Sequence, residues 1–353
     1  MKITFITSGL QLSGGTLHTI EFANRLARKG HSVSIVLPRG YEDDTVNYLE
    51  TCISLIRTKT HFSSFSAGNN IRLAFQLAKI TPTSNCLIAT YTPTAIPTLI
   101  ASWAMKKGTP FWLFADYVEM FRNRPVERWT MRLAPHFFRK ILVVSQSCRE
   151  TIREQAGTES IVVGMGLTRP EMFVPNPRTS PITEQEKEIL FTGDPRPRKG
   201  LGDFIEAVKL VYREENGIRV SIASKQDFPV DDGLPISFFH RPSDTQLASL
   251  YAKCDVFVSA SWFEGFGLPP LEAMACGAPV VLTDSHGIRE YAVHEENCLI
   301  VPPKDPSALA SAILRLLRDP ELHSRLSLAG QRTAARFTLE EPAARLEKAL
   351  FDN

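Results

Sequence analysis

Short runs of β-branched and aromatic residues alternate with helical patterns from one end of the chain to the other. The strand candidates of the first half are Ile3–Thr7, Val33–Leu37, Leu87–Tyr91, Phe111–Ala115 and Ile141–Ser145, with a weaker one at Ile161–Val163. Those of the second half are Ile189–Thr192, Arg219–Ala223, Ile236–Phe239, Val256–Ser259, Pro279–Thr283 and Leu299–Val301. Helical stretches such as Leu17–Lys29, Leu201–Val211 and Leu247–Ala252 fill most of the gaps. Alternation of this kind implies parallel sheets covered by helices on both faces. The pattern predicts an α/β architecture of doubly wound sheets, whose ligands sit beyond the carboxyl ends of the strands.

A chain of 353 residues suggests two such domains. The stretch Val174–Glu188 is rich in Pro, Thr, Asn and Glu and lacks apolar periodicity. It predicts a first domain over 1–175 and a second over 176–335, with a final helix in 336–353 packing back on the first. Two doubly wound halves leave a cleft for a ligand between their strand ends. Hydrophobic content of 43% and charged content of 22% are globular values. A net charge of +2 gives no global pull toward nucleic acid. The six scattered cysteines form no C-x-x-C pair, which argues against a disulfide framework and a zinc site. No apolar stretch approaches the roughly 18 residues of a membrane span. Lys2–Thr7 reads as a strand and not as a signal peptide. These readings predict a cytoplasmic protein. The eight histidines show no metal-ligand spacing, so no metal is expected, and no Gly-x-Ser-x-Gly nucleophile elbow is present.

The densest motif is Glu264-Gly265-Phe266-Gly267-Leu268-Pro269-Pro270-Leu271-Glu272, followed by Ala273-Met274-Ala275-Cys276-Gly277. Its glycines keep the first half out of a helix. Pro269 and Pro270 suit the first turn of one, where a missing N–H costs nothing. Apolar runs flank it, so the unit reads as strand, glycine loop, helix, strand. Glu264 is placed on the loop and Glu272 in the opening turn. Such a loop aims backbone N–H groups and a helix dipole at a phosphate. A carboxylate one turn further in can accept hydrogen bonds from sugar hydroxyls.

Other strand ends carry weaker signals. Ser8–Thr16, with Gly14 and Gly15, is a phosphate-approaching loop or an ordinary turn; it is not G-x-G-x-x-G, and no acid follows the second strand to hold a nicotinamide ribose. Gly193–Gly200 places Arg196, Arg198 and Lys199 between a strand end and a helix start, which suits a diphosphate or makes a solvated charge cluster. Ser243 or Asp244 can cap a helix, and Arg241 can line a base pocket. Asp116, at the end of a strand, can bind a sugar hydroxyl, assist proton transfer or cap a helix. Phe121–Lys140 mixes arginines with aromatic residues. It is either an amphipathic helix packed on its own domain or a peripheral contact for anionic lipid.

The segment Asp255–Pro303 resembles retaining glycosyltransferases of family 4, whose GT-B fold sets two Rossmann-like domains face to face across a cleft. Glu264 and Glu272 match that family's E-x7-E motif. Weaker likenesses cover most of the chain: the Gly14-Gly15 loop, Val143–Ser145, Arg198–Gly200 and the Ser243-Asp244 helix start. The resemblance implies that Glu272 binds the ribose of a nucleotide-sugar and Glu264 contacts the donor sugar. Lys199 and an arginine hold the diphosphate, with backbone amides near Phe266, Gly267 and Leu268. The acceptor, a carbohydrate or lipid-linked hydroxyl, binds near the glycine loop and Asp116. The family's usual Gly-Arg is here Gly193-Asp194, so Arg196, or else Arg198, must supply the lost cation. Asp116-Tyr117 stands where the family often has a histidine, closer to some rhamnosyltransferase-like members.

Three functions are therefore in play. The first is metal-independent transfer of a hexose, with retention, from a nucleoside-diphosphate sugar (a UDP-sugar as a family-level expectation) in polysaccharide or glycolipid assembly. The nucleotide-sugar is then a substrate, and no separate cofactor is required. The second is a sugar-nucleotide epimerase of GT-B fold. The third is a non-catalytic nucleotide-sugar-binding subunit.

Overall fold

A computed structural model of the protein describes residues 1–61, 67–175, 187–229 and 233–352. It divides the chain into two compact units, Met1–Thr168 with Leu339–Asn353, and Arg169–Thr338.

Among the described residues, the first unit holds a seven-stranded sheet: β1 (Lys2–Ile6), β2 (Ser32–Arg39), β3 (Ser54–His61), β4 (Cys86–Ala89), β5 (Thr109–Phe114), β6 (Lys140–Val143) and β7 (Ile161–Val162). The order is β3-β2-β1-β4-β5-β6-β7, and every pair is parallel. β1 and β4 flank the point where strand order reverses. Every residue of β4 is buried, as the apolar run implied. β3 escapes a search for apolar runs because Arg57, Lys59 and His61 interrupt it. Charges of that kind suit a sheet edge, where they discourage pairing with another chain.

Helices α1 (Gly14–Arg28), α2 (Ala67–Ile80), α3 (Thr92–Leu99), α4 (Pro125–Leu133) and α5 (Gln146–Ala156) make the crossovers. α3 packs against both α2 and α4. The C-terminal helix, α11 (Glu340–Phe351), packs against α1 and β6 of this same unit. Arg25 pairs with Glu340 at 2.8 Å, Lys29 with Glu347, and the Lys140 ammonium donates to the Asp352 carbonyl at 2.7 Å.

The second unit repeats the plan with β8 (Lys187–Thr192), β9 (Ile218–Ser224), β10 (Ile236–His240), β11 (Val256–Ser259), β12 (Val280–Thr283) and β13 (Leu299–Val301). The described strands lie in the order β10-β9-β8-β11-β12-β13, again all parallel. Its helices are α6 (Leu201–Glu214), α7 (Asp244–Lys253), α8 (Leu268–Ala275), α9 (Pro306–Arg318) and α10 (Pro320–Ala334). Phe191 of β8 stacks on Phe204 of α6 with ring centres 4.6 Å apart, in a core that also holds Val256, Val258, Ile313 and Leu316. Here the strand order reverses between β8 and β11, which makes the loops after these two strands the expected ligand-binding loops.

The unit boundaries differ from those read off the sequence. Arg169 pairs with Asp244, and the Phe173 ring lies 6.0 Å from Tyr251, so this segment belongs to the second unit. Phe337 packs beside Phe266 and Tyr291 of the same unit. The Pro- and Thr-rich stretch that suggested a boundary at 175 follows the change of unit; its residues 176–186 lie outside the described ones.

Candidate active site

The loop after β8 runs through Gly193–Lys199, tightens into a 3-10 turn at Pro197–Lys199 and enters α6 through Gly200. Gly200 has φ +67, and a Cβ there would sit 1.9 Å from the Ala260 carbonyl oxygen at the end of β11. Only glycine lets these two backbones approach so closely. The contact is reinforced along the loop. The Trp262 amide donates to the Arg198 carbonyl at 2.7 Å, the Arg198 guanidinium donates to the Phe263 carbonyl at 3.2 Å, and the Trp262 indole donates to Asp203 of α6 at 2.6 Å.

This lacing brings Lys199 to Glu264, Nζ to Oε1 at 2.6 Å, with Arg198 Nη1 at 3.7 Å from Oε2. Burial pushes the Glu264 carboxyl up, but the charges of Lys199 and then Arg198 outweigh it and leave it below the usual carboxylate range. Glu264 is therefore ionised. The loop after β12 fixes its backbone: the Glu264 amide donates to the Ser285 carbonyl at 2.9 Å, and the Gly287 amide to the Glu264 carbonyl at 3.1 Å. A Cβ on Gly287 would lie 2.5 Å from Glu264 and Phe266 backbone atoms. His286, between them, has φ +67 and stacks on Phe263 with ring centres 5.5 Å apart. Such backbone strain in a non-glycine residue collects at functional sites.

Glu272 belongs to a different environment. Gly267, at φ +88, caps α8; Leu268, Pro269 and Pro270 open it, and Glu272 follows one turn in. Burial pushes Glu272 above the usual carboxylate range. The Lys225 charge, a hydrogen bond from the Tyr251 hydroxyl at 3.2 Å and the Arg169 charge offset only part of this. The Gly267 carbonyl accepts from the buried Tyr291 hydroxyl at 2.5 Å, which holds the start of the helix in place. Phe266, Gly267 and Leu268 thus form a rigid helix entrance beside Glu264.

The other sequence candidates fall elsewhere. Arg196 is clamped on Asp194, Nε to Oδ1 at 2.7 Å and Nη2 to Oδ2 at 2.5 Å, so Arg198 is the arginine beside Lys199 and Glu264. Arg241 follows β10 at φ +47, with its amide donating to the Ser224 carbonyl at 2.6 Å. Ser243 and Gln246 form the capping box of α7. In the first unit, Gly14 and Gly15 open α1 behind the Ser13 cap, and a Cβ on Gly15 would meet nothing within 4 Å. Asp116 is buried, and its Oδ2 accepts the Thr92 amide at 2.8 Å and the Thr92 hydroxyl at 2.6 Å. It caps the start of α3. Tyr251, Lys225 and Arg169 escaped the sequence reading because they lie outside the Glu264–Glu272 motif. Trp262 escaped it although it stands two positions before Glu264, because its bond to Asp203 depends on how the two loops meet.

Two family models divide the chain between them. "Glycosyltransferase Family 4" matches residues 12–164 and "Glycosyl transferases group 1" matches residues 186–319. The chain is 27% identical over 226 residues to an uncharacterized glycosyltransferase of Methanocaldococcus jannaschii, covering 63% of this chain and 62% of the relative. It is 28% identical over 220 residues to an O-antigen chain mannosyltransferase of Salmonella typhimurium, covering 60% of each. Its fold matches that of Anabaena HepE, solved with UDP and glucose, at a TM-score of 0.81 and 16% identity over 99% of both chains. The match spans between 51% and 62% of the length of the first curated relatives. The fold is GT-B. The chain belongs to glycosyltransferase family 4.

Proposed function

We propose that the protein is a retaining glycosyltransferase. It moves a hexose from a nucleoside-diphosphate sugar, with UDP-sugars favoured, to an acceptor hydroxyl in polysaccharide or glycolipid assembly. The observation that carries this reading is the joining of Arg198, Lys199 and ionised Glu264 at the switch point of the second sheet. Two cations there fit a diphosphate, and the carboxylate between the loops is placed to meet the sugar it carries. Glu272, one turn into α8, fits the ribose hydroxyls, and the α8 entrance at Phe266–Leu268 supplies helix-end N–H groups.

In this reading the bond from the anomeric carbon to the β-phosphate oxygen breaks as the acceptor oxygen bonds to the same face of that carbon. The acceptor proton passes to the departing phosphate. The protein's task is to stabilise the negative charge growing on the diphosphate, which Lys199 and Arg198 do with fixed positive charge. Glu264 balances those charges before the donor arrives and then accepts from the sugar. Asp116 acts by fixing α3. No bound metal is required for this step.

HepE, solved with UDP and glucose, favours uridine as the base, whereas the O-antigen relative is a mannosyltransferase. The test is turnover of a panel of UDP-, GDP- and dTDP-sugars with an acceptor glycoside in EDTA, with the anomeric configuration of the product read by NMR. A glycoside of unchanged configuration is expected. An inverted product, or dependence on added metal, would overturn the mechanism. Interconverted sugar nucleotides without transfer would indicate an epimerase.

A further inference from the structure

The transfer reaction makes no use of α4 and the turns beside it. α4 runs from Pro125 to Leu133, and the turn Ala134–Phe137 continues it. Thr130, Met131, Ala134 and Pro135 face the protein and are buried. Steps of three and four residues align Val126, Trp129, Leu133 and Phe137 on another side. That side is open: Trp129 is 60% exposed, Leu133 54% and Phe137 55%. Trp103, beyond α3, extends it; its indole donates to the Phe137 carbonyl at 3.0 Å, yet the residue remains 66% exposed. The amphipathic segment therefore packs through one face and leaves an aromatic face in solvent.

Arginines surround this face. Arg122, Arg124, Arg128, Arg132 and Arg139 are all exposed. The single acid of the stretch, Glu127, is taken by Arg124 at 3.6 Å. Arg128 and Arg132, on the same helix as Trp129 and Leu133, form no ion pair with any described residue. Uncovered apolar side chains amid unbalanced positive charge match one kind of partner best, a surface that is apolar below and anionic above. A soluble polyanion would meet the arginines but leave Trp129, Leu133 and Phe137 in water.

We propose that this face docks the protein on an anionic lipid surface. Trp103, Trp129, Leu133 and Phe137 enter the interfacial layer, and Arg128 and Arg132 pair with headgroup phosphates. Tryptophan favours that layer because its ring is apolar and its N–H is polar. A nine-residue helix is far too short to span a bilayer, and no described helix is long and apolar enough to do so, so the contact is peripheral.

The test is sedimentation of the full chain with vesicles of phosphatidylcholine alone and of phosphatidylcholine with equal phosphatidylglycerol. Binding to the anionic vesicles, weakened by salt, and little binding to the neutral ones are expected. Arg128→Gln with Arg132→Gln should weaken binding by about five-fold per arginine. Trp129→Ser with Leu133→Ser should weaken it at least as much. All four positions are exposed, so the wild-type melting transition should be retained and serves as the folding control. Absence of anionic-vesicle binding, or unchanged binding in both variants, would overturn the proposal. So would loss in the arginine variant alone combined with equal competition by soluble polyglutamate, which would assign the face to an acidic protein or other polyanion.

Discussion

Lys199 and Glu264, 65 positions apart in sequence, meet at 2.6 Å and join the loops on either side of the second sheet's switch point. Each makes the other's burial tolerable. Removing Lys199 leaves Glu264 with only the more distant Arg198, and removing Glu264 leaves two cations side by side, where a donor diphosphate and its sugar are proposed to bind.

Lys199→Ala is expected to lower kcat by about 10²–10³, the usual loss when one stabilising contact to a developing anion is removed. Arg196→Ala, which frees Asp194 instead, should cost less than Arg198→Ala. Steady-state kinetics on the three variants checks the order, and near-wild-type turnover of Lys199→Ala would rule out the charge-stabilisation role.

The two carboxylates shift in opposite directions, so they should contribute oppositely to pH stability. Glu264, held low, stabilises the fold above the ordinary carboxylate range, and this is lost as pH falls through its lowered value. Glu272, held high, favours the fold below the ordinary range, and this is lost as pH rises through its raised value. Glu272→Gln should therefore stabilise the ligand-free protein more at about pH 7 than at about pH 4, relative to wild type, while Glu264→Gln should destabilise it more at the higher pH. Denaturant midpoints at the two pH values measure both. Glu272→Gln should also weaken nucleotide-sugar binding by about ten- to a hundred-fold, through lost charged hydrogen bonds to ribose.

Two glycines two positions apart should respond with opposite signs. Gly200→Ala places a Cβ against the Ala260 carbonyl at positive φ, and should cost about 2–5 kcal/mol and displace Lys199. Gly202→Ala, within α6 with nothing within 4 Å of the new Cβ, should stabilise by about 0.5–1 kcal/mol. Equilibrium unfolding of both variants tests the lacing of the two loops.

Asp116→Ala leaves the Thr92 amide and hydroxyl without their acceptor, and should destabilise by about 1–3 kcal/mol. Asp116→Asn keeps one acceptor oxygen and should lose less. If Asp116 positions α3, activity should track melting temperature across the two variants. Loss of kcat in Asp116→Asn at unchanged melting temperature would instead assign it a direct proton-transfer role.

The alternating plan was legible because strands buried on both faces read as near-continuous apolar runs, as β4 does throughout and β11 does from Val256 to Val258. β3 was hidden by the charges that suit a sheet edge. The Glu264–Glu272 segment announced itself because helix entry, glycine turn and carboxylates are all local to it. Arg196 and Arg198 are indistinguishable in sequence. Only the loop's path decides that Arg196 turns to Asp194 while Arg198 reaches Phe263 and Glu264. Tyr251 was out of reach for the same reason: its bond to Glu272 depends on how α7 packs on α8.

The most direct measurement is the thermal shift of wild type and Lys199→Ala with UDP-, GDP- and dTDP-sugars in EDTA. At about a hundred times its dissociation constant, the cognate donor should stabilise wild type by about 2.7 kcal/mol, and the same concentration should stabilise Lys199→Ala far less. No shift with any nucleotide-sugar, or an equal shift in both proteins, would contradict a donor site built on Lys199 and Glu264.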